Sequence, residues 1–314
     1  ADDYTDTTHR NYTIVKEMDD AGDLTCRLHL YTKLDGYTDF SKALEYRKEF
    51  FSEKLRLNGV KGFIDGVTST FTGLLLEPYS DRPETCGVDV PNATEEENTS
   101  YIIAANKAGL PVRLHCIADG SVRMALDMYE KSRNANGSQD FFNTVEHIEN
   151  IHPADIPRFS ELSVVPSMQP YHLTLDFNEK IRRIGEERCR YEWPHRSLLD
   201  AGAQLAFGTD YPVVDFDPFP NIYAAVTRCD DNGIPTGVNP QECITVAEAL
   251  TAYTKTAALA YNRGDIGVLA AGKLADIIVV DRDLLSVPHS EIPETSVLLT
   301  VMDGKIVYDA ETDI

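Results

Sequence analysis

The fold is predicted most directly by the stretch Ala105-Asn-Lys-Ala-Gly109-Leu-Pro-Val-Arg-Leu-His115. This stretch indicates the end of a helix, a glycine that closes it, and a short apolar strand that ends on a histidine. Glycine suits the helix end because it adopts the left-handed backbone conformation without steric cost. The same device returns in Ala201-Gly202-Ala203, before another apolar run. Strands that alternate with helices in this way are typical of parallel βα units.

Six apolar segments share this character and are predicted to be strands. They are nearly continuous in apolar residues, as strands buried on both faces of a parallel sheet should be. Amphipathic segments between them predict helices. The predicted strands are 26–31, 59–64, 111–116, 143–148, 162–168 and 204–208, and the predicted helices are 40–55, 100–107, 122–133, 153–160, 178–190 and 221–229.

The pattern changes towards the carboxyl terminus. Thr245 and Glu248 form a capping box that predicts a long helix through about residue 261. A turn-rich stretch follows, then a strand at 277–280 and a hairpin turned by Asp303-Gly304, a pair that favours a type I′ turn. We therefore expect a barrel domain over residues 1–262, incomplete at its start, and part of a small β domain over residues 263–314.

Composition and charge narrow the class of protein. The 314 residues carry a formal net charge of −22, which argues against nucleic-acid or anionic-membrane partners. No run of eighteen apolar residues and no signal-peptide pattern is present, so a soluble cytoplasmic protein is expected. The six cysteines form no Cys-x-x-Cys pair and are expected to be reduced thiols, with Cys26 and Cys116 inside apolar strands.

Four polar residues end successive predicted strands: Lys61, His115, His147 and Asp210. The carboxyl ends of parallel barrel strands open onto one face, so these side chains are expected to converge. Imidazole and carboxylate groups are good ligands for Zn²⁺, and a bound metal activates water at neutral pH. The four residues together therefore predict a metal-dependent hydrolase site.

Taken singly, each of the four has an ordinary structural interpretation, because buried histidines are often only hydrogen-bonded and Asp210 precedes a turn. Gln169 and His172 follow a strand end, and their role is open between substrate contact and structure. Asp119 is expected to cap the next helix or to hold His115. A structural role, or a solvated loop, is expected for the remaining polar candidates, which are His9, His29, Glu95–Glu97, Glu146, His152, His195 and His289.

Several blocks in order resemble the amidohydrolase superfamily, in the branch that includes N-substituted formamide deformylase. The resemblance covers essentially the whole chain, and its blocks are 59–66 with 76–79, 115–122, 146–148, 168–173, 196–202, 207–213 and 267–276. It implies a TIM-like (β/α)8 barrel, present here from about its third strand, with part of a small β-sandwich.

The resemblance also implies roles for the four strand-end residues. Lys61 would be a bridging lysine, often carboxylated in this superfamily, and His115 and His147 would be metal ligands. Asp210 would be both ligand and proton shuttle for metal-activated water. The superfamily places a His-x-His pair at the end of strand one, but no two of the eight histidines here have that spacing. Either the pair lies on a segment outside this sequence or the protein has lost it, and without it metal binding should be weak.

The expected function is hydrolysis of a C–N bond in an amide, formamide or N-acyl compound. The expected cofactor is a divalent metal, most simply one or two zinc ions, and the expected partner is a small-molecule substrate. A homodimer is compatible with this composition. Two alternatives stay open: a non-catalytic homologue or fragment that acts through binding or assembly, and a lactone or phosphoester hydrolase on the same barrel.

Overall fold

A parallel sheet of six strands, in sequential order, forms the centre of the protein. The computed structural model describes residues 10–34, 40–87, 93–175, 177–237 and 239–312. All six predicted strands are present, and each pairs in parallel with the next. Core side chains such as Val60, Val112 and Val145 are fully buried, which explains the continuous apolar pattern. The strands are β1 (Leu28–Lys33), β2 (Leu55–Phe63), β3 (Val112–Cys116), β4 (Thr144–His147), β5 (Val165–Met168) and β6 (Ala206–Phe207).

Helices connect the strands, as the βα pattern predicted. The helix expected over residues 40–55 is shorter than predicted, because it ends at Glu49 and Leu55 already begins β2. The first helix was not predicted. The helices are α1 (Arg10–Ala21), α2 (Ser41–Glu49), α3 (Glu95–Lys107), α4 (Asp119–Asn136), α5 (Ile156–Leu162), α6 (Phe177–Ile184), α7 (Glu186–Cys189), α8 (His195–Asp200), α9 (Pro218–Thr227), α10 (Val246–Tyr253) and α11 (Lys255–Ala260).

The start of α3 corrects the prediction that residues 95–97 form a solvated loop. The Thr94 hydroxyl accepts a hydrogen bond from the Glu97 amide at 3.2 Å, and the Glu97 carboxylate accepts one from the Thr94 amide at 2.8 Å. These two bonds form a capping box, and Glu95 begins the helix. The three glutamates therefore occupy the first helical turn, where negative charge is favoured.

A second sheet, antiparallel and three-stranded, lies near the carboxyl terminus: β7 (Ile277–Val280), β8 (Val297–Met302) and β9 (Lys305–Asp309). Asp303 and Gly304 both have positive φ, 50° and 76°, as a type I′ turn requires. The predicted capping box at Thr245 is also present, although the helix after it divides at Thr254. The domain boundary expected at residue 262 stays a prediction.

The cysteines are all free thiols. Cys116 is buried in β3, as expected for a small apolar side chain. Cys26 was expected inside a strand, but it is exposed and precedes β1. Within the described ranges, no helix combines the length and the apolar character needed to cross a membrane.

Candidate metal centre at the strand ends

Lys61, His115 and His147 lie on the three neighbouring strands β2, β3 and β4. The parallel register places Phe63 beside His115 and Cys116 beside His147. The rings of His115 and His147 are 4.3 Å apart, and the ring of Phe63 stacks on His115 at 4.9 Å. The Lys61 ammonium lies 5.2 Å from the Phe63 ring and the residue is only 4% exposed. His115 is in register with Glu146, and His147 has a positive φ of 77°, so the bend at the end of β4 acts together with the strand register to bring these predicted ligands to one place.

Asp210 reaches the same region from the turn after β6. One ligand atom each from His147, His172 and Asp210 lies within 4.8 Å of the others. Asp210 has a positive φ of 57° and is exposed, whereas both histidines are buried. The rings of His147 and His172 are 6.3 Å apart. The histidine cluster therefore has a solvent-accessible carboxylate at its edge.

His172 was predicted only as a substrate contact, yet it lies as close to His147 and Asp210 as a metal ligand would. It sits in the short helical turn Pro170–Thr174, four residues beyond the end of β5. A strand-end rule cannot place such a residue, because its position depends on the turn. The only signal in the sequence is the family block at 168–173.

Burial keeps His115 and His147 neutral. It lowers the pKa of His115 to about 4, with a further contribution from the positive charge of Lys61. It also lowers the pKa of His147 well below its usual value, followed by the effects of His115 and Lys61. Neutral imidazole is the form that binds metal ions.

Unpaired imidazole nitrogens provide the direct test of whether the site fits a metal. His147 Nδ1 and His172 Nε2 are buried, and neither has a hydrogen-bond partner in the described part of the chain. An unsatisfied buried nitrogen is costly unless something binds it. Two imidazoles with such nitrogens, next to a carboxylate, fit a divalent cation.

Two residues that sequence reasoning missed support His172 from behind. Glu149 Oε1 lies 3.8 Å from His172 Nδ1, and the other oxygen of Glu149 is paired with Lys180 of α6. Burial raises the pKa of Glu149, but Lys180 and His172 outweigh it and bring the pKa to about 2. Glu149 is therefore an ionised carboxylate beneath the site. No local pattern in the sequence distinguishes either residue.

Asp119 plays neither of the roles expected for it. The residue before it, Ala118, occupies the cap position of α4, and the Asp119 carboxylate accepts a hydrogen bond from the Leu76 amide at 3.0 Å. The carboxylate near His115 is Asp65, 3.9 Å from His115 Nε2. Asp65 is fully buried and accepts bonds from three backbone amides, so it anchors the loops after β2 and β3.

The remaining predicted residues are accounted for by local contacts. Glu146 Oε1 lies 3.4 Å from Arg113 Nε, and His152 accepts a bond from the Ala154 amide, both of which are structural contacts. His195 is buried against Phe207. His29 is buried beside Arg263, whereas His289 is exposed. His9 lies outside the described residues.

A cavity of about 480 Å³ lies beside Asp210, which lines it, whereas the histidines of the cluster do not. Gln169 and Asp210 line it together with Ser167, Tyr211 and Phe216. This volume is in the usual range for small-molecule sites. Both polar and aromatic side chains are available to contact a ligand beside Asp210.

A parallel α/β sheet that gathers lysine, histidine and aspartate side chains at the carboxyl ends of its strands, or in the turns just after them, has the site position of a barrel protein. The chain belongs to the amidohydrolase family, whose model matches residues 1–308. The predicted superfamily and the predicted fold class are both confirmed.

Individual relatives and solved structures are consistent with membership of this family. Protein LONG AFTER FAR-RED 3 of Arabidopsis thaliana is 36% identical over 86% of this chain and 47% of its own length. N-substituted formamide deformylase of Arthrobacter pascens is 30% identical over 69% of this chain and 40% of its own. The structure of an uncharacterized metal-dependent hydrolase from Pyrococcus furiosus aligns with a TM-score of 0.74 and 32% identity, over 88% of this chain and 55% of that one. The chain spans about half the length of the relatives it matches.

Proposed function

We propose that this chain carries the metal site of a hydrolase that acts on C–N bonds in amides, formamides or other N-acyl compounds. The proposed ligands are Lys61, His115, His147 and Asp210. The observation that supports it best is the cluster itself: neutral, buried imidazoles on adjacent strand ends beside an accessible carboxylate. Membership of the amidohydrolase family supports the reaction class, and the N-acyl substrate follows from the similarity to a formamide deformylase.

The bound metal, which we propose to be zinc, would polarise the substrate carbonyl and lower the pKa of water. We propose that Asp210 accepts the proton of that water and returns it to the leaving nitrogen, a role supported by its exposure at the edge of the cavity. Gln169, on the cavity wall, is proposed to contact the substrate. Lys61, once carboxylated on its amine, would offer two oxygens for a second metal ion.

The test is Asp210→Asn, assayed in the full protein across amides, formamides, N-acyl compounds, lactones and phosphoesters. We expect the turnover of a C–N substrate to fall by about 100- to 10,000-fold, the usual loss when a general acid–base is removed. Asp215→Asn is the matched control, because Asp215 is an exposed carboxylate in the same loop. Full activity in Asp210→Asn would contradict the proposed mechanism. A lactone or phosphoester as the best substrate would contradict the proposed bond type.

A second candidate is a non-catalytic homologue that acts through binding or assembly. The specific observation in its favour is the absence of a His-x-His pair from the 314 residues. Elemental analysis of the purified protein separates the two. One or two equivalents of zinc per chain support the hydrolase, whereas a metal-free protein that gains no activity with added zinc supports the binding protein.

A further inference from the structure

Behind His172 lies a buried ion pair whose charges have no role in the proposed chemistry. Lys180 and Glu149 are 1% and 9% exposed, and their charged groups are in direct contact. The Lys180 ammonium also lies 3.8 Å from the centre of the Trp193 ring. The Trp193 amide donates to the Glu149 carbonyl at 3.1 Å, which ties the three residues together.

Such a pair is unusual, because removing two charges from water costs several kcal/mol that their attraction only partly offsets. An apolar pair of similar size would stabilise the fold as well or better. The second oxygen of Glu149 faces His172 Nδ1 at 3.8 Å. The pair therefore supplies something an apolar pair cannot, namely a fixed negative charge next to this imidazole.

A carboxylate on one side of an imidazole determines which nitrogen carries the proton. Glu149 favours the proton on Nδ1, and Nε2 is then left as an electron-pair donor. His172 Nε2 is buried and has no hydrogen-bond partner among the described residues. A ligand atom of His172 lies within 4.8 Å of ligand atoms of both His147 and Asp210. The free lone pair thus belongs to the same cluster as two proposed metal ligands.

We propose that His172 is a further ligand of the metal centre, and that the Glu149 carboxylate, held in place by Lys180, positions it and fixes its tautomer. This inference rests on the proposed function, because it assumes that the cluster holds a divalent cation. Glu149 and Lys180 are positioning residues, since neither reaches the cluster itself.

Metal affinity tests the inference without any substrate. Co²⁺ is titrated into the metal-free full protein, and binding is followed by its visible absorption. We expect Glu149→Gln and His172→Gln each to weaken Co²⁺ binding by about 10- to 100-fold, the usual effect of changing a ligand or its supporting carboxylate. The double variant should bind no more weakly than His172→Gln alone, because both changes remove one interaction.

Two further variants keep the result interpretable if Glu149→Gln is unstable. Glu149→Gln combined with Lys180→Met removes both charges, and it should fold yet still bind Co²⁺ weakly. Asp155→Asn is the matched control, because Asp155 is a buried carboxylate after β4 that pairs with Arg158 and Arg123 away from the cluster. It should lower the melting temperature and leave Co²⁺ affinity unchanged.

Ring nitrogen shifts from ¹⁵N NMR of the metal-free protein give a readout that needs neither metal nor activity. We expect His172 to carry its proton on Nδ1, and this preference to be lost in Glu149→Gln. Unchanged Co²⁺ affinity in the His172 and Glu149 variants, or a proton on Nε2 in the wild type, would overturn the inference alone. A wild-type protein that binds no Co²⁺ would overturn the proposed function and the ligand role of His172 with it.

Discussion

His29 lies buried at the start of the sheet, with its ring 4.9 Å from that of Tyr261 and its Nε2 3.4 Å from Arg263. Burial lowers its pKa, with a further contribution from the positive charge of Arg263, to about 4. The folded protein therefore holds this histidine neutral at pH values where the unfolded chain, with a pKa near 6.5, already binds a proton. Stability from this residue is complete above about pH 6.5 and is lost as the pH falls towards 4.

The free energy of unfolding should therefore fall as the pH is lowered below about 6.5. Each pH unit inside the window costs about 1.4 kcal/mol, so His29 should contribute about 2 kcal/mol of destabilisation between pH 6.5 and pH 5. Urea unfolding of the wild type and of His29→Gln at both pH values measures this difference. His289→Gln is the control, because His289 is exposed, and it should keep the wild-type slope. Equal slopes for the wild type and His29→Gln would show that His29 is not held neutral.

For single residues, only part of the candidate site could be predicted from the sequence. His115 and His147 could be predicted to lie together because each ends a strand and neighbouring parallel strands end on one face. The position of His172 beside them could not be predicted, because it depends on the turn Pro170–Thr174. Glu149 reaches His172 only because the loop after β4 and helix α6 pack together. Such long-range packing leaves no periodic signal in a single sequence.

At the scale of the strand, Gly59 allows β2 to approach β3 closely. A Cβ atom at this position would lie 2.2 Å from the backbone oxygen of Pro111, which accepts a hydrogen bond from the Val60 amide. Backbone atoms cannot move aside as a flexible side chain can, so Gly59→Ala must separate the two strands. We expect the free energy of unfolding to fall by about 1–3 kcal/mol, as for other overpacked core positions.

Urea unfolding of Gly59→Ala tests this close approach. Gly264→Ala is the matched control, because a Cβ there meets no atom within 4 Å and its backbone is not in the left-handed region. It should change the free energy of unfolding by less than about 0.5 kcal/mol. If both variants were equally stable, β2 and β3 would have to be farther apart than described.

Helices and strands could be predicted where burial gives a continuous pattern of apolar residues. The residues at which they end could not. The helix predicted over residues 40–55 extended too far because Phe50 and Leu55 are both buried, and so continue the apolar pattern. The chain turns between them, where the Ser52 hydroxyl accepts bonds from the amides of Lys54 and Leu55. Local hydrogen bonding of this kind ends a helix without changing its hydrophobic pattern.

At the scale of the whole molecule, the order of the six strands could be predicted, because consecutive parallel βα units tend to lie side by side. The exposure of the side chains in the second sheet could not be predicted in this way. The strands β7 to β9 have the apolar residues of a buried sheet, yet Ile278, Leu298 and Ile306 are 54%, 42% and 56% exposed. Sequence patterns show which residues favour burial, whereas the neighbours that bury them are set by tertiary packing.

The exposed apolar side chains of this three-stranded sheet should affect how the protein behaves in solution. Exposed apolar side chains gathered on one small sheet form a surface that favours self-association and the binding of hydrophobic dyes. Ile277 and Ile306 are both in register with Val301, so they lie on one face of the sheet. We expect Ile277→Lys with Ile306→Lys to reduce both, measured by dye fluorescence and light scattering, without lowering the melting temperature. Leu285→Lys is the control, since Leu285 is 66% exposed outside the sheet, and it should reduce neither. A large fall in melting temperature for the double variant would show instead that these side chains are covered in solution, by a second copy of the chain or another segment.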